Sequence, residues 1–389
     1  MIFDKLSTFN FQLSTFNFQP STFNFQPSTL NLQLSTPTMI STAVISYGIS
    51  AKTFHIPFIS THPGYSLDMI MQRQGNDALE KHPSVVVVNT FEEVLANPKI
   101  DLVVIASPNT THFPYAKAAM LAGKHVVVEK PFTNTTAEAM ELIEISKQTG
   151  RICAVYHNRR YVADFLTMKS ILDQGLLGEP AEFFAHYDRY RPNPRTYGLW
   201  REEDLPGSGI FYDLGPHLID QALVLFGHPD TVTADIRKMK SYSKVDDYFD
   251  VKLGYDSLIV TLHSSMLVRE MGPRYMIHGT KGSFIKNGED PQEELLKAGI
   301  LPTGSDWGKE PEIQFGLLHT EIDGKIIKQT YPSLQGGFGG FYTNLYESIQ
   351  NEKPLQERPE DGYNVIKIIE LAFESSKEKR TLDVSGLLK

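Results

Sequence analysis

The chain has 389 residues, of which 41% are hydrophobic and 21% charged, a usage that excludes a disordered or fibrous protein. Its 37 basic and 46 acidic residues leave a net charge of −9, which argues against a nucleic-acid backbone binder. No apolar run reaches the roughly 18 residues of a membrane helix, and the single cysteine, Cys153, excludes an internal disulfide framework.

The first 38 residues stand apart. Residues 6–33 hold four copies of a seven-residue unit, Leu/Pro-Ser-Thr-Phe/Leu-Asn-Phe/Leu-Gln, and Leu34-Ser35-Thr36 begins a fifth. The apolar positions fall two apart, as in Phe9 and Phe11, so the period of seven is not a coiled-coil seam. The segment also lacks the basic start and continuous apolar stretch of a secretory signal. Residues 1–38 are expected to be a disordered leader, with the working protein starting at Met39.

From Met39 the pattern alternates. Strands are expected at 42–46, 67–71, 85–88, 102–107 and 125–129, with helices between them at 91–96 and 113–122. A helix at 137–149, closed by Gly150, leads to a strand at 152–156 that carries Cys153 as a buried thiol. Continuous apolar strands alternating with helices predict a doubly wound parallel sheet covered on both faces. Beyond Asn158 the texture changes. A helix at 163–174 is followed by strands at 181–190, 231–238, 248–253, 258–262 and 275–279, with helices at 215–225, 341–350 and 362–376. The expected fold class is α/β: an N-terminal Rossmann domain over 39–158, then an α+β domain over 159–389 with a largely antiparallel open sheet.

The first strand runs into Ser46-Tyr47-Gly48-Ile49-Ser50-Ala51, half of a Gly-x-Gly-x-x-Gly/Ala dinucleotide fingerprint. Gly48 and Ala51 fit. Ser46 departs from the first glycine and places a side chain where the turn is tightest. The same six residues also suit an ordinary strand-to-helix turn. After the second strand, Met71-Gln72-Arg73-Gln74 offers no acid to bond a ribose 2′-hydroxyl. Arg73 suits a 2′-phosphate instead, so NADP is favoured, with NAD as the alternative.

The stretch Gly123-Lys124-His125-Val126-Val127-Val128-Glu129-Lys130-Pro131 resembles the Glu-Lys-Pro motif of the Gfo/Idh/MocA oxidoreductase family. Ser107-Pro108-Asn109-Thr110-Thr111-His112 is similar to that family's loop after the fourth strand. Asp213-Leu214-Gly215-Pro216-His217 is similar to its Asp-x-Gly-x-His signature. Further segments look like its NADP-dependent scyllo-inositol dehydrogenase branch: His157-Asn158-Arg159-Arg160, Asp188-Arg189-Tyr190-Arg191-Pro192, Trp200-Arg201-Glu202, Arg274-Tyr275 and Asp306-Trp307-Gly308. The resemblance runs from Met39 essentially to the C-terminus.

Oxidising a secondary alcohol needs a hydride acceptor and a group that takes the hydroxyl proton. Lys130, just past a strand end, offers an ammonium to the substrate oxygen. Asp213 and His217, four apart on a helix, can face the same side. The resemblance implies that Lys130 and His217 share proton handling and that Asp213 bonds substrate. It places Pro108, Asn109 and Glu129 against the cofactor and Asn158 between nicotinamide and substrate. Tyr190, Arg191, Trp200 and Arg201 become candidates for the pocket wall. The implied protein is a cytoplasmic NAD(P)-dependent dehydrogenase of a cyclic polyol or sugar, scyllo-inositol first, working as a homodimer or homotetramer without a metal. A metal site on Asp213, His217 and Asp220 is the rival chemistry. A sugar- or cofactor-sensing regulator on the same fold is the non-enzymatic alternative.

Overall fold

The computed structural model describes residues 39–196 and 199–389, and the leader expected at 1–38 lies outside the described residues. The first sheet has six strands: β1 (Ile40–Ile45), β2 (Tyr65–Met71), β3 (Val86–Val88), β4 (Leu102–Ile105), β5 (His125–Val128) and β6 (Cys153–Val155). All run parallel in the order β3-β2-β1-β4-β5-β6. Strand pleating explains why these segments are apolar throughout. Val44, Val104, Val127 and Ala154 enter one core, while Ala43, Ile45, Val103, Val126 and Val155 enter a second core on the opposite face. Helix Phe91–Ala96 begins at a Thr90/Glu93 capping box and helix Thr136–Thr149 at a Thr135/Glu138 box. Gly150 closes the latter at φ +64°, a left-handed cap that glycine adopts without steric cost. Cys153 is buried and unpaired, and burial pushes its thiol pKa up, away from reactive thiolate.

The second sheet has nine strands: β7 (Pro180–His186), β8 (Thr231–Arg237), β9 (Tyr248–Gly254), β10 (Ile259–Ser265), β11 (Tyr275–Gly279), β12 (Gly282–Lys286), β13 (Gly316–Ile322), β14 (Lys325–Tyr331) and β15 (Leu382–Asp383). Their order is β14-β13-β12-β11-β7-β10-β9-β8-β15. Only the β7–β10 pair is parallel among the described strands of this sheet. Phe183, Ala185, Val251, Leu253, Val260 and Leu262 share a core with Leu218, Ile219 and Ala222 of helix Ile210–Phe226. That core is continuous with the one under Val44, Val104 and Val127, so the two sheets are packed through common apolar contacts. Among the described residues no helix is long and apolar enough to cross a membrane.

Several elements differ from expectation. The helix expected at 215–225 begins at Ile210, because Asp246 supplies the missing cap: its Oδ2 accepts from the Phe211 N–H at 2.7 Å and its carbonyl from the Ile210 N–H at 3.0 Å. The strand expected at 181–190 ends at His186, with Tyr190 keeping one isolated bridge to Leu267. Strands β12 to β15 were not anticipated.

Candidate active site

In the first sheet the chain leaves β1 on one side for β2 and later returns on the other side as β4. Such a reversal opens a crevice beyond the C-terminal strand ends, where these sheets take ligands. Ser46 emerges there from β1 with φ +84°, the left-handed region that favours glycine. Its Oγ accepts from the Gly48 N–H at 3.2 Å, so the hydroxyl holds the turn that a glycine would make by freedom alone. A Cβ at Gly48 would meet only that Oγ, at 3.4 Å, which leaves this side of the turn open to a ligand.

These contacts set an order of stability. Ser46→Ala keeps the left-handed cost and loses the hydroxyl bond, and is expected to lower unfolding free energy by about 1 kcal/mol. Ser46→Gly removes both terms and is expected to melt close to wild type. Urea unfolding of the three proteins checks this order; an alanine variant as stable as the serine protein would contradict it.

Glu129 ties the turn to the end of β5. Its carboxylate accepts from Ser50 Oγ, from the Lys130 N–H at 3.1 Å and from His55 Nε2 at 3.1 Å. Burial alone would raise its pKa, but His55, Lys130 and Ser50 outweigh burial and hold it at about 2. His112 bridges the loops that follow β4 and β5, with Nδ1 2.7 Å from the Pro131 carbonyl and Nε2 3.0 Å from that of Ser107.

Lys130 reaches across to helix Ile210–Phe226. Its Nζ donates to the Asp213 carbonyl at 2.6 Å and to Asp213 Oδ1 at 3.1 Å. Arg195 Nη2 lies 3.4 Å from Asp213 Oδ2, and Arg201 Nε lies 3.7 Å from Oδ1. Burial opposes a charge on Asp213, yet Lys130, Arg201 and Arg195 prevail and hold its pKa well below the usual carboxylate range. One helical turn on, His217 is buried, and its Nδ1 has no hydrogen-bond partner. Burial first, then the charges of Lys130 and Arg159, push its pKa well below the ordinary histidine value. The imidazole is therefore neutral near pH 7. A buried nitrogen left unpaired costs about 1–3 kcal/mol.

A cavity of about 500 Å³ connects these features. Ser46, Gly48, Ile49, Ser50, Pro108, Asn109, Glu129, Lys130, Asn158, Arg191, Trp200, Arg201, Asp213 and His217 all border it. An open glycine turn and the Lys130, Asp213 and His217 cluster on one cavity fit an extended dinucleotide with a small polar molecule beside it. Three residues expected to touch cofactor or substrate do not border the cavity. Ala51 is buried behind the turn at the start of the helical stretch Ala51–His55, and Arg73 stands exposed beyond β2. Tyr190 turns toward Arg269, whose guanidinium lies 4.0 Å over its ring and donates to its hydroxyl at 2.6 Å.

Sequence reasoning missed Arg195, which no motif marks, and gave no role to Arg159, whose buried guanidinium borders the cavity and pairs with Glu293. The doublet Arg159-Arg160 beside Asn158 was the available signal. Arg160 holds Asp220 through two bonds, at 2.9 and 2.6 Å, and among the described residues Asp220 does not gather with Asp213 and His217 into a group that could hold a metal.

Known proteins resemble both halves of the chain. Residues 40–157 match the oxidoreductase family's NAD-binding Rossmann fold, and residues 169–384 match that family's C-terminal alpha/beta domain. The oxidoreductase YdgJ of Escherichia coli (strain K12) is 42% identical over 344 residues, covering 88% of this chain and 98% of that protein. The scyllo-inositol 2-dehydrogenase (NADP(+)) IolW of Bacillus subtilis (strain 168) is 38% identical over 343 residues, covering 88% and 95%. The solved structure of the Bacillus subtilis oxidoreductase yvaA superposes with a TM-score of 0.86 at 38% identity, over 90% of this chain and 99% of that one.

Proposed function

The chain is an NAD(P)-binding oxidoreductase of the Gfo/Idh/MocA family, and within that family we propose that it interconverts a secondary alcohol and a ketone of a cyclic polyol or sugar, using NADP. Residues 39–158 form the cofactor-binding part and residues 159–389 the substrate-binding part. The observation that carries the reading is the meeting of Lys130, Asp213 and a neutral His217 on the cavity that also takes in the Ser46–Gly48 turn.

Nicotinamide, when bound, supplies the hydride acceptor. Ser46, Gly48, Ile49, Ser50, Pro108, Asn109 and Glu129 would hold the cofactor, with Asn158 between it and the substrate. Lys130 has one N–H beyond its two bonds to Asp213, and donates it to the substrate oxygen as alkoxide charge develops. His217, a neutral imidazole bordering the cavity, takes the hydroxyl proton. Asp213, kept ionised, fixes the Lys130 ammonium and bonds a neighbouring hydroxyl. Arg73 at the end of β2 supports NADP through its charge. A relative named as an NADP(+)-dependent scyllo-inositol 2-dehydrogenase supports scyllo-inositol as the substrate.

The test is a panel of inositol isomers and hexoses, each assayed with NADP and with NAD. Turnover of scyllo-inositol that is faster with NADP is expected. Failure on every inositol would discard the substrate but keep the reaction class. Tight NADPH binding without turnover of any alcohol would point to the sensing regulator.

A further inference from the structure

The outer face of the second sheet carries a cluster that the proposed reaction does not use. β7 and β10 run parallel with His186 and His263 as direct partners, and antiparallel β9 sets Asp250 opposite His263. The ladder continues past β7 through Tyr187 N–H to His263 carbonyl and Arg189 N–H to Ser265 carbonyl, each 2.9 Å. Asp188, two residues beyond His186, therefore returns to the same face.

Potential ligand atoms of His186, Asp188 and His263 all lie within 4.8 Å of one another. His186 Nδ1 is 3.4 Å from Asp188 Oδ2, and His263 Nε2 is 3.5 Å from Asp188 Oδ1. Two donors on one tetrahedral zinc ion, each bound at about 2.0–2.1 Å, stand roughly 3.3 Å apart. Each imidazole thus stands from the Asp188 carboxylate at close to the spacing such an ion imposes, and all three donors lie within 4.8 Å.

We propose that His186, Asp188 and His263 bind one divalent transition-metal ion of the zinc class on the outer face of the second sheet. Two imidazoles and one carboxylate favour such an ion over calcium or magnesium, which take oxygen ligands. Supporting contacts orient the set. Asp250 Oδ2 lies 3.5 Å from His263 Nδ1, which directs the proton there and leaves Nε2 free to ligate. The Ser265 N–H donates to Asp188 Oδ1 at 2.9 Å. The histidine side chains are 27% and 18% exposed, so an ion and a water in the fourth position have access. The ion cross-links the ends of β7 and β10 beneath Arg189, which borders the cavity on the other side of the sheet.

Untagged, metal-free full-length protein titrated calorimetrically with zinc chloride is expected to bind one ion per chain. H186Q and H263Q are expected to weaken that binding about a hundredfold, and D250N about tenfold. Metal-free melting curves establish that each variant is folded, and D250N keeps the test decisive if a histidine variant is not. Absence of saturable zinc binding would overturn the proposal, as would binding undiminished in the folded variants.

Discussion

Replacing Lys130 with methionine is expected to lower kcat about a thousandfold or more while leaving NADPH affinity within a few-fold of wild type. The side chain sits between two sets of groups with different work. Its backbone N–H bonds Glu129, on the cofactor side, and survives the substitution. Its ammonium bonds only Asp213 among the described residues, on the substrate side, and is lost. A thousandfold corresponds to about 4 kcal/mol of transition-state stabilisation, the size expected for a charged donor aimed at a developing alkoxide in a buried site. Asp213 keeps Arg195 and Arg201, so the helix start should hold and the melting temperature should change little. Steady-state rates and a fluorescence titration of NADPH on the same preparation separate the two effects. Activity within tenfold of wild type would remove Lys130 from the chemistry. Lost NADPH binding would show that the ammonium acts through the cofactor.

His217→Asn is expected to reduce kcat/KM for alcohol oxidation by about a hundredfold to ten-thousandfold, because it removes the proton acceptor without leaving a charge behind. The pH profile gives a sharper reading. The folded pKa of His217 is depressed by burial and by Lys130 and Arg159, so the imidazole stays neutral as pH falls through 6.5, the ordinary histidine value. It becomes protonated, and unable to accept, only well below that point. The wild-type kcat/KM profile should therefore show no acid limb centred near 6.5 that is absent from His217→Asn. Such a limb would contradict the electrostatic account even if the variant were slow.

The alternating first half was readable because its signals are local. Apolar strands, the Thr135 and Glu138 box and Gly150 act within a turn of the chain, and helix 91–96 was placed on its observed bounds. The start of the helix bearing Asp213 was misplaced because Gly209 offers no side-chain cap there. The bonds come instead from Asp246, which is distant in the sequence. β14 escaped notice because it is an edge strand with Ile326 76% exposed, so no inside–outside alternation marks it. Ser46 looked like a weakness in the dinucleotide turn, and whether its hydroxyl would help or hinder depended on a side-chain direction that no motif states.

The sequence by itself determined the two-sheet architecture and the family resemblance and singled out Lys130, Asp213 and His217 as candidates, since these rest on periodicity and on short motifs. Only the tertiary structure decided their chemical states. Asp213 is an anion because Lys130 arrives beside it from the end of β5 and Arg195 and Arg201 from the stretch before its own helix, and His217 is neutral because burial, Lys130 and Arg159 disfavour its charge. Desolvation and Coulomb energy depend on distance in space, and chain spacing carries almost none of that information.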